Sequence, residues 1–213
     1  MPEPDRSVPG AADAAPGTKR SQAKAARRAE LIAAAARQMA ERGFSGVRLE
    51  DIGAEVGVSG PAMYRHFSSK TDLLDQMLLD ISERLQSGGE AVVADGGSSD
   101  DILARLVEFH IDMLVTRPDL ITVQDRDLSS MTPDANRRVR SLQRQYVELW
   151  VDVLNAAVGD GVTRDEARVR VHAGFGLLNS SPRLPPYPAD EVRTVLIGMV
   201  SAALYAGVRP DHA

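Results

Sequence analysis

The chain of 213 residues contains no cysteine, which excludes disulfide bonds and thiolate metal sites and suits a reducing cytosol. Its longest uncharged stretch, TVLIGMVSAALYAGV, has 15 residues. A membrane-spanning helix needs roughly 20. The first 18 residues contain no apolar run of the kind that a secretory signal carries. We therefore expect a cytoplasmic protein.

Signals for catalysis are also missing. The sequence has no glycine-rich phosphate loop and no nucleophile elbow. Its four histidines stand apart, with no pair at a spacing that metal ligands use. We therefore expect neither an enzyme nor a metal site, and we assign no catalytic residue and no cofactor.

The net charge of −5 is unevenly distributed along the chain. Residues 1–18 carry −2, residues 19–70 carry +5, and residues 71–213 carry −8. A basic segment joined to an acidic body indicates that one end of the molecule meets a polyanion.

The composition beyond the first residues predicts an all-α fold of about nine helices. Residues 1–18 contain four prolines and two glycines without an apolar face, so we predict a disordered tail there. The remainder lacks the period-two alternation of strands. The glycine-rich stretch SGGEAVVADGGSSD, which follows residue 86, predicts a loop. It divides the helical part into segments 19–85 and 86–213.

Two short helices in the middle of the first segment predict a helix-turn-helix over about residues 49–67. One helix runs from about Leu49 to Val56 and ends at Gly57, and the next begins at Ser59, whose hydroxyl can cap it. The residues left exposed on the second helix suit the major groove of DNA. They are Gly60, Pro61, Ala62, Tyr64, Arg65 and His66.

Each of these side chains has a chemical partner on DNA. Arg65 can donate to guanine, and Ala62 can contact a thymine methyl group. Tyr64 and His66 can donate to phosphate oxygens, and Lys70 adds a positive charge. Gly60 and Pro61 let the helix N-terminus approach the DNA backbone.

The stretch GFSGVRLEDIGAEVGVSGPAMYRHFSSKTDLL resembles the DNA-binding domain of TetR-family transcriptional regulators, over about residues 24–75. The resemblance implies that residues 59–66 are the recognition helix and that Tyr64, His66 and Lys70 contact phosphates. One departure stands out, because the family usually has Ser or Thr just before the second helix. Here Arg48 occupies that region and can replace the phosphate contact with a charge, while the cap of the helix is left unassigned.

The resemblance also implies that segment 86–213 binds an effector and forms a homodimer through the last two helices. Small residues among the apolar ones of these helices suit close helix packing, and ordinary core within one chain is the alternative. The predicted interface residues are Val171, Gly174, Phe175, Leu178, Val192, Val195, Leu196, Met199 and Ala203.

Polar groups set among apolar ones predict the effector pocket, although each residue alone also suits plain core. The candidates are Phe109, His110, Met113, Leu114, Tyr146, Trp150, Val153 and Asn179. Four arginines between Arg137 and Arg144 either form a solvated helix face or bind the phosphates of an acyl-coenzyme A thioester. A drug-like hydrophobic molecule is the alternative effector.

Together these features predict a nucleoid-associated repressor that binds a palindromic operator as a dimer and is released by a small hydrophobic effector. The alternative is a constitutive DNA-binding protein without ligand control.

Overall fold

The computed structural model of this protein describes residues 19–185 and 187–208, and these are helical without a strand, which confirms the all-α prediction. The tail predicted for residues 1–18 lies outside the described residues. The helices are α1 (Lys19–Arg42), α2 (Leu49–Glu55), α3 (Gly60–Met63), α4 (Lys70–Ala94), α5 (Ser99–Thr116), α6 (Pro118–Asp127), α7 (Pro133–Val158), α8 (Arg164–Leu178) and α9 (Ala189–Leu204).

Helices α1 to α3 form a small unit around a shared apolar core. Leu31, Ala35 and Met39 recur at helical spacing on α1, so one face of that helix is completely buried. Ile52 of α2 and Met63 of α3 are also fully buried. The apolar spacing of α1 therefore supplies the surface on which the two shorter helices pack.

Helix α4 is longer than the sequence predicts, because the stretch expected to form a loop continues the helix to Ala94. Gly88 and Gly89 lie inside it, where aromatic rings approach the backbone. A Cβ atom at Gly88 would lie 2.2 Å from Phe109 Cζ, and one at Gly89 would lie 2.7 Å from Tyr146 Cε2. These glycines therefore make room for rings and do not end the helix. The boundary predicted after residue 85 falls within α4, and the division into two domains stays a prediction.

The body is arranged around α7, which packs against α4, α5 and α8. Helix α9 covers α5 and α8, and α6 packs against α1 of the first unit. Arg126 near the end of α6 donates hydrogen bonds to the carbonyl oxygens of Met39 and Ala40, at 3.2 Å for Ala40. The last turn of α1 is thus joined directly to the body. Within the described ranges, no helix has the length and apolarity needed to cross a bilayer.

Candidate nucleic-acid interface

The turn between α2 and α3 brings the two helices into close contact. Gly57 ends α2 with a positive φ of 71°, and the Val58 N–H donates to the Gly53 carbonyl oxygen at 2.8 Å. A Cβ atom at Gly53 would lie 2.6 Å from the Val58 carbonyl oxygen and 2.7 Å from Met63 Cγ. Gly53 is therefore required by the helix-turn-helix geometry. In the sequence, the one signal for this role is the presence of a glycine within a short amphipathic helix, which is typical of close packing.

Helix α3 is shorter than predicted, with only four residues, Gly60–Met63. The chain continues as turns, in which the Arg65 N–H donates to Ala62 and the His66 N–H donates to Met63. Ser59 precedes the helix, but its hydroxyl accepts no capping hydrogen bond, so the expected cap is wrong. A helix of this length has little macrodipole to attract a phosphate.

The side chains predicted to face DNA are mostly accessible in the described structure. Ser59, Pro61, Tyr64 and Arg65 are exposed. The Arg65 side chain has no hydrogen-bond or ion-pair partner among the described residues, so its five N–H donors are available to a ligand. The remaining members of the set are half-buried, namely Gly60, Ala62 and His66.

The residues at the start of α2 show which group caps this helix. Arg48 is exposed and holds the N-cap position with an extended backbone, and its side chain makes no capping hydrogen bond. Instead, the carboxylate of Asp51 accepts a hydrogen bond from the Arg48 N–H at 3.3 Å. The guanidinium of Arg48 is therefore not needed to cap the start of the helix, and its proposed phosphate contact stays a prediction.

Lys70 has a structural role that the sequence analysis missed. Its Nζ donates to the carbonyl oxygens of Phe44 at 2.7 Å and Val47 at 2.8 Å. The same ammonium lies 4.4 Å from the centre of the Phe44 ring, within cation–π distance. Two of its three donors are thus used to hold the connection between α1 and α2. A phosphate contact by Lys70 stays a prediction that must rely on the third.

Three rings predicted for the effector pocket and one predicted for the dimer interface form one aromatic cluster in the body. His110 stacks on Tyr146 with ring centres 5.8 Å apart, and Phe175 lies 4.9 Å from both His110 and Trp150. Phe175, predicted for the dimer interface, therefore belongs with the predicted effector residues. His110 Nε2 and Trp150 Nε1 are buried, and neither has a hydrogen-bond partner among the described residues.

The environment of this cluster sets the protonation of its polar members. Burial lowers the pKa of His110 to about 4, against a smaller opposing effect of the Asn179 side chain. His110 Nδ1 lies 3.3 Å from the Tyr146 hydroxyl oxygen, and burial raises the pKa of that phenol. Both groups are therefore neutral near pH 7.

The other predicted effector residues lie on different parts of the body. Leu114 and Val153 are buried in the core, and Phe109 is half-buried against Gly88. Met113 lines a cleft of about 940 Å³ that also contains residues of α1, α4 and α6. An apolar side chain therefore borders open space between the first unit and the body.

Comparisons with known proteins agree with this geometry. A family model described as bacterial regulatory proteins, tetR family, matches residues 31–77, which include α2 and α3. A second, described as tetracyclin repressor-like, C-terminal domain, matches residues 96–183. The transcriptional regulator CymR of Pseudomonas putida is 30% identical over 156 residues, 70% of this chain and 75% of the relative. This chain belongs to the TetR family.

Two further proteins illustrate the relationship of this TetR-family regulator to others. The transcriptional repressor KstR2 of Rhodococcus jostii is 29% identical over 155 residues, 71% of this chain and 75% of the relative. The crystal structure of AibR in complex with isovaleryl coenzyme A and operator DNA superimposes with a TM-score of 0.64 at 18% identity. That match covers 81% of this chain and 97% of AibR and shows a common fold. The chain is a transcriptional regulator.

The residues predicted for dimerisation do not form a single surface in this TetR-family chain. A Cβ atom at Gly174 would lie 3.2 Å from Val200 Cγ2, so α8 and α9 already pack closely within one chain. Val192 and Ala203 are half-buried. Four of the predicted residues are buried in the core of the chain, namely Val171, Gly174, Leu178 and Leu196.

Two of the predicted interface residues are exposed instead, and α8 carries one further exposed apolar residue that was not predicted. Val195 and Met199 of α9 are 51% and 52% exposed, and Val169 of α8 is 67% exposed. Gly176 and Gly198 are also exposed, and a Cβ atom at either would meet nothing within 4 Å. We call Val169, Val195 and Met199 the apolar stripe. It combines large apolar side chains with small residues at the surface.

The four arginines of α7 divide into two pairs. Arg137 forms an ion pair with Asp134 of the same helix. Arg138 forms one with Glu83 of α4 at 2.6 Å. The charges of these two guanidinium groups are therefore partly neutralised within the chain, which agrees with a solvated helix face.

The other two arginines line a surface groove of about 690 Å³ between α7 and α8. Arg140 and Arg144 have no ion-pair or hydrogen-bond partner among the described residues. Arg168 and His172 of α8 line the opposite side. Unlike Arg140 and Arg144, Arg168 is held by Glu148 at 2.8 Å. The groove therefore presents two unpaired cations.

Proposed function

We propose that this regulator binds a palindromic operator as a homodimer, represses transcription, and is released by an acyl-coenzyme A thioester. One observation carries the DNA-binding part of the proposal. The exposed guanidinium of Arg65 lies without an internal partner on a close-packed helix-turn-helix, beside the exposed Tyr64. Free donors on a rigid element of this kind suit the reading of base edges.

The apolar stripe supports the dimer. Large apolar side chains of α8 and α9 are exposed to water, which is unfavourable. Burial against a second copy of the chain would remove this apolar surface from water. The exposed glycines nearby would let two pairs of helices approach closely. A dimer presents two recognition segments and so reads both halves of a palindrome.

The groove between α7 and α8 supports the choice of effector. Arg140 and Arg144 are unpaired there, and arginine is well suited to binding phosphate oxygens in pairs. Coenzyme A carries several phosphate oxygens. The structure of AibR, a protein with the same fold, contains isovaleryl coenzyme A. The apolar side chains of the cleft beside Met113 and the unpartnered polar atoms of the aromatic cluster are candidate contacts for the acyl part.

A mobility-shift titration on the DNA that flanks the gene of this protein tests the proposal. The full chain is titrated alone, with acyl-coenzyme A thioesters, and with the matching N-acetylcysteamine thioesters, which carry the acyl group but no phosphate. Release by the coenzyme A form alone supports the proposal. Release by both forms equally favours a purely hydrophobic effector. A shift that no ligand disturbs favours constitutive binding, and no shift at all contradicts operator binding.

Paired substitutions test the role of the groove. The double variant Arg140→Ala, Arg144→Ala should need roughly tenfold more acyl-coenzyme A for release, because it loses charge-assisted hydrogen bonds. The matched control is Arg137→Ala, Arg138→Ala, which removes the same charge from the same helix at ion-paired positions. An equal change in both double variants would contradict a specific phosphate site.

A further inference from the structure

An acidic side chain lies on the face that the proposed function assigns to DNA. Glu50 is exposed in the first turn of α2, and its Oε1 accepts a hydrogen bond from the Tyr64 hydroxyl at 3.0 Å. A Cβ atom at Gly60 would lie 3.2 Å from Glu50 Cγ, so this carboxylate lies at the start of α3. Neither the charge pattern nor the spacing of the sequence pointed to Glu50.

The chemistry of a carboxylate restricts what it can contact on DNA. An ionised carboxylate only accepts hydrogen bonds, so it cannot bind a phosphate oxygen and is repelled by that negative charge. In the major groove the donors are the N4 amino group of cytosine and the N6 amino group of adenine, and cytosine is the better partner because adenine places the acceptor N7 beside its amino group. Guanine presents the acceptors O6 and N7, and thymine presents the acceptor O4. A glutamate here therefore selects against bases that present only acceptors.

The hydrogen bond to Tyr64 determines how this carboxylate is presented. The single hydroxyl hydrogen of Tyr64 is donated to Oε1, so it is not free for a phosphate at the same time. Oε2 makes no hydrogen bond within the described residues and can accept one from a base. The phenol thus fixes the orientation of a side chain that would otherwise be free to rotate at the surface.

We infer that Glu50 reads the amino group of a cytosine in each half-site and that Tyr64 is the residue that positions it. The inference rests on the proposed function, because it requires the α3 segment to enter the major groove. It changes the expected role of Tyr64, from a contact to phosphate to a support for base recognition.

Selection from a library of random double-stranded DNA tests the inference, because it reveals the preferred bases whatever the operator sequence is. The full-length protein is compared with Glu50→Ala, Glu50→Gln and Tyr64→Phe. The matched control is Glu108→Gln, which makes the same charge change at an exposed position of α5. Binding constants are then measured on the selected sequence and on its variants at each position, at fixed salt concentration.

The wild type should enrich a motif with one fixed cytosine in each half-site. Glu50→Ala and Glu50→Gln should reduce discrimination at that step by roughly tenfold and leave the other positions unchanged. Tyr64→Phe should reduce the same preference by a smaller factor, because Glu50 keeps its charge but loses its support. Glu108→Gln should select the wild-type motif with unchanged discrimination.

Other outcomes separate the inference from the proposed function. If both Glu50 variants enrich the wild-type motif and change the affinity for all sequences equally, Glu50 acts only through its charge and the inference is wrong. If Tyr64→Phe weakens binding uniformly and keeps the cytosine preference, Tyr64 contacts phosphate and does not position Glu50. If the wild type enriches no motif, the proposed function fails and the inference falls with it.

Discussion

The carboxylate of Asp75 accepts two hydrogen bonds from Thr132, from the backbone N–H at 3.1 Å and from the hydroxyl at 2.6 Å. Asp75 lies on α4 and is almost fully buried, and Thr132 is the N-cap residue of α7. The negative charge thus faces the positive end of a 26-residue helix. This pair fastens α4 to the central helix of the body.

Thr132→Val should reduce the free energy of unfolding by about 1–3 kcal/mol, because it leaves a buried carboxylate oxygen without its donor. Urea denaturation of the full chain measures the change. The control is Thr194→Val, since the Thr194 hydroxyl donates only to the Asp190 carbonyl oxygen of its own helix at an exposed position. That control should change stability by less than about 0.5 kcal/mol. Equal losses in both variants would contradict the role of the Asp75 pair.

Gly53→Ala should destabilise the helix-turn-helix by about 1–3 kcal/mol, because the new methyl group meets the Val58 carbonyl oxygen and Met63. The effect should exceed the gain in helix propensity that alanine brings. The thermal unfolding temperature and the DNA affinity should both fall. Ala54→Ser, at the exposed neighbouring position, adds a single atom and should leave both unchanged. A Gly53→Ala variant with wild-type DNA affinity would show that the turn can relax.

The pKa of His110 makes the stability of the body dependent on pH. Burial lowers this pKa to about 4, whereas an unfolded chain has a histidine pKa of about 6.5. Between these values the unfolded state binds a proton that the native state does not, so stability falls as the pH falls. From pH 7 to pH 5 the loss should be about 2 kcal/mol. His110→Gln should abolish this part of the pH dependence in urea denaturation.

A second neutral variant, His110→Asn, separates protonation from packing. Both variants lose stability at every pH because the stacked ring is gone, but their stability curves should have the same shallow slope. Wild type and variants with parallel slopes between pH 7 and pH 5 would indicate that His110 is protonated normally in the native state.

Met199→Glu should convert the proposed dimer to a monomer, because it places a charge on the apolar stripe. Sedimentation equilibrium measures the molecular mass in solution. Val115→Glu is the matched control, since Val115 is an exposed apolar residue of α5 outside the stripe. A Met199→Glu variant that stays dimeric would show that another face joins the two copies.

The sequence predicts helices well where their ends are determined locally. Helix α7 is an example, because Pro133 suits the first turn and Gly159, with a positive φ, ends the helix. Prediction from the sequence fails at α4, where Gly88 and Gly89 indicated a loop. The reason for those glycines is two rings that are distant in sequence, and composition alone does not reveal such a contact.

Site residues can likewise be predicted only where the local sequence pattern determines their position. Arg65 is exposed as predicted, because the periodicity of a short helix tells which side faces its core. The periodicity of α8 marks Val171 and Leu178 as apolar, but it does not tell whether α9 or a second chain covers them. Glu50 was missed because its relation to Tyr64 depends on the angle between two helices.

Because α4 is a single continuous helix, a small tilt at one end moves the other end by a larger distance. Its 25 residues extend over about 38 Å, so a tilt of only about 3° at one end displaces the other by about 2 Å. A displacement of that size is enough to break a hydrogen bond to a base. One end of this rod adjoins the recognition segment, and the other lies against the rings of Phe109 and Tyr146. In the proposed complex with DNA, a change in the tilt of this one helix would therefore be enough to adjust the fit, without a rearrangement of the fold.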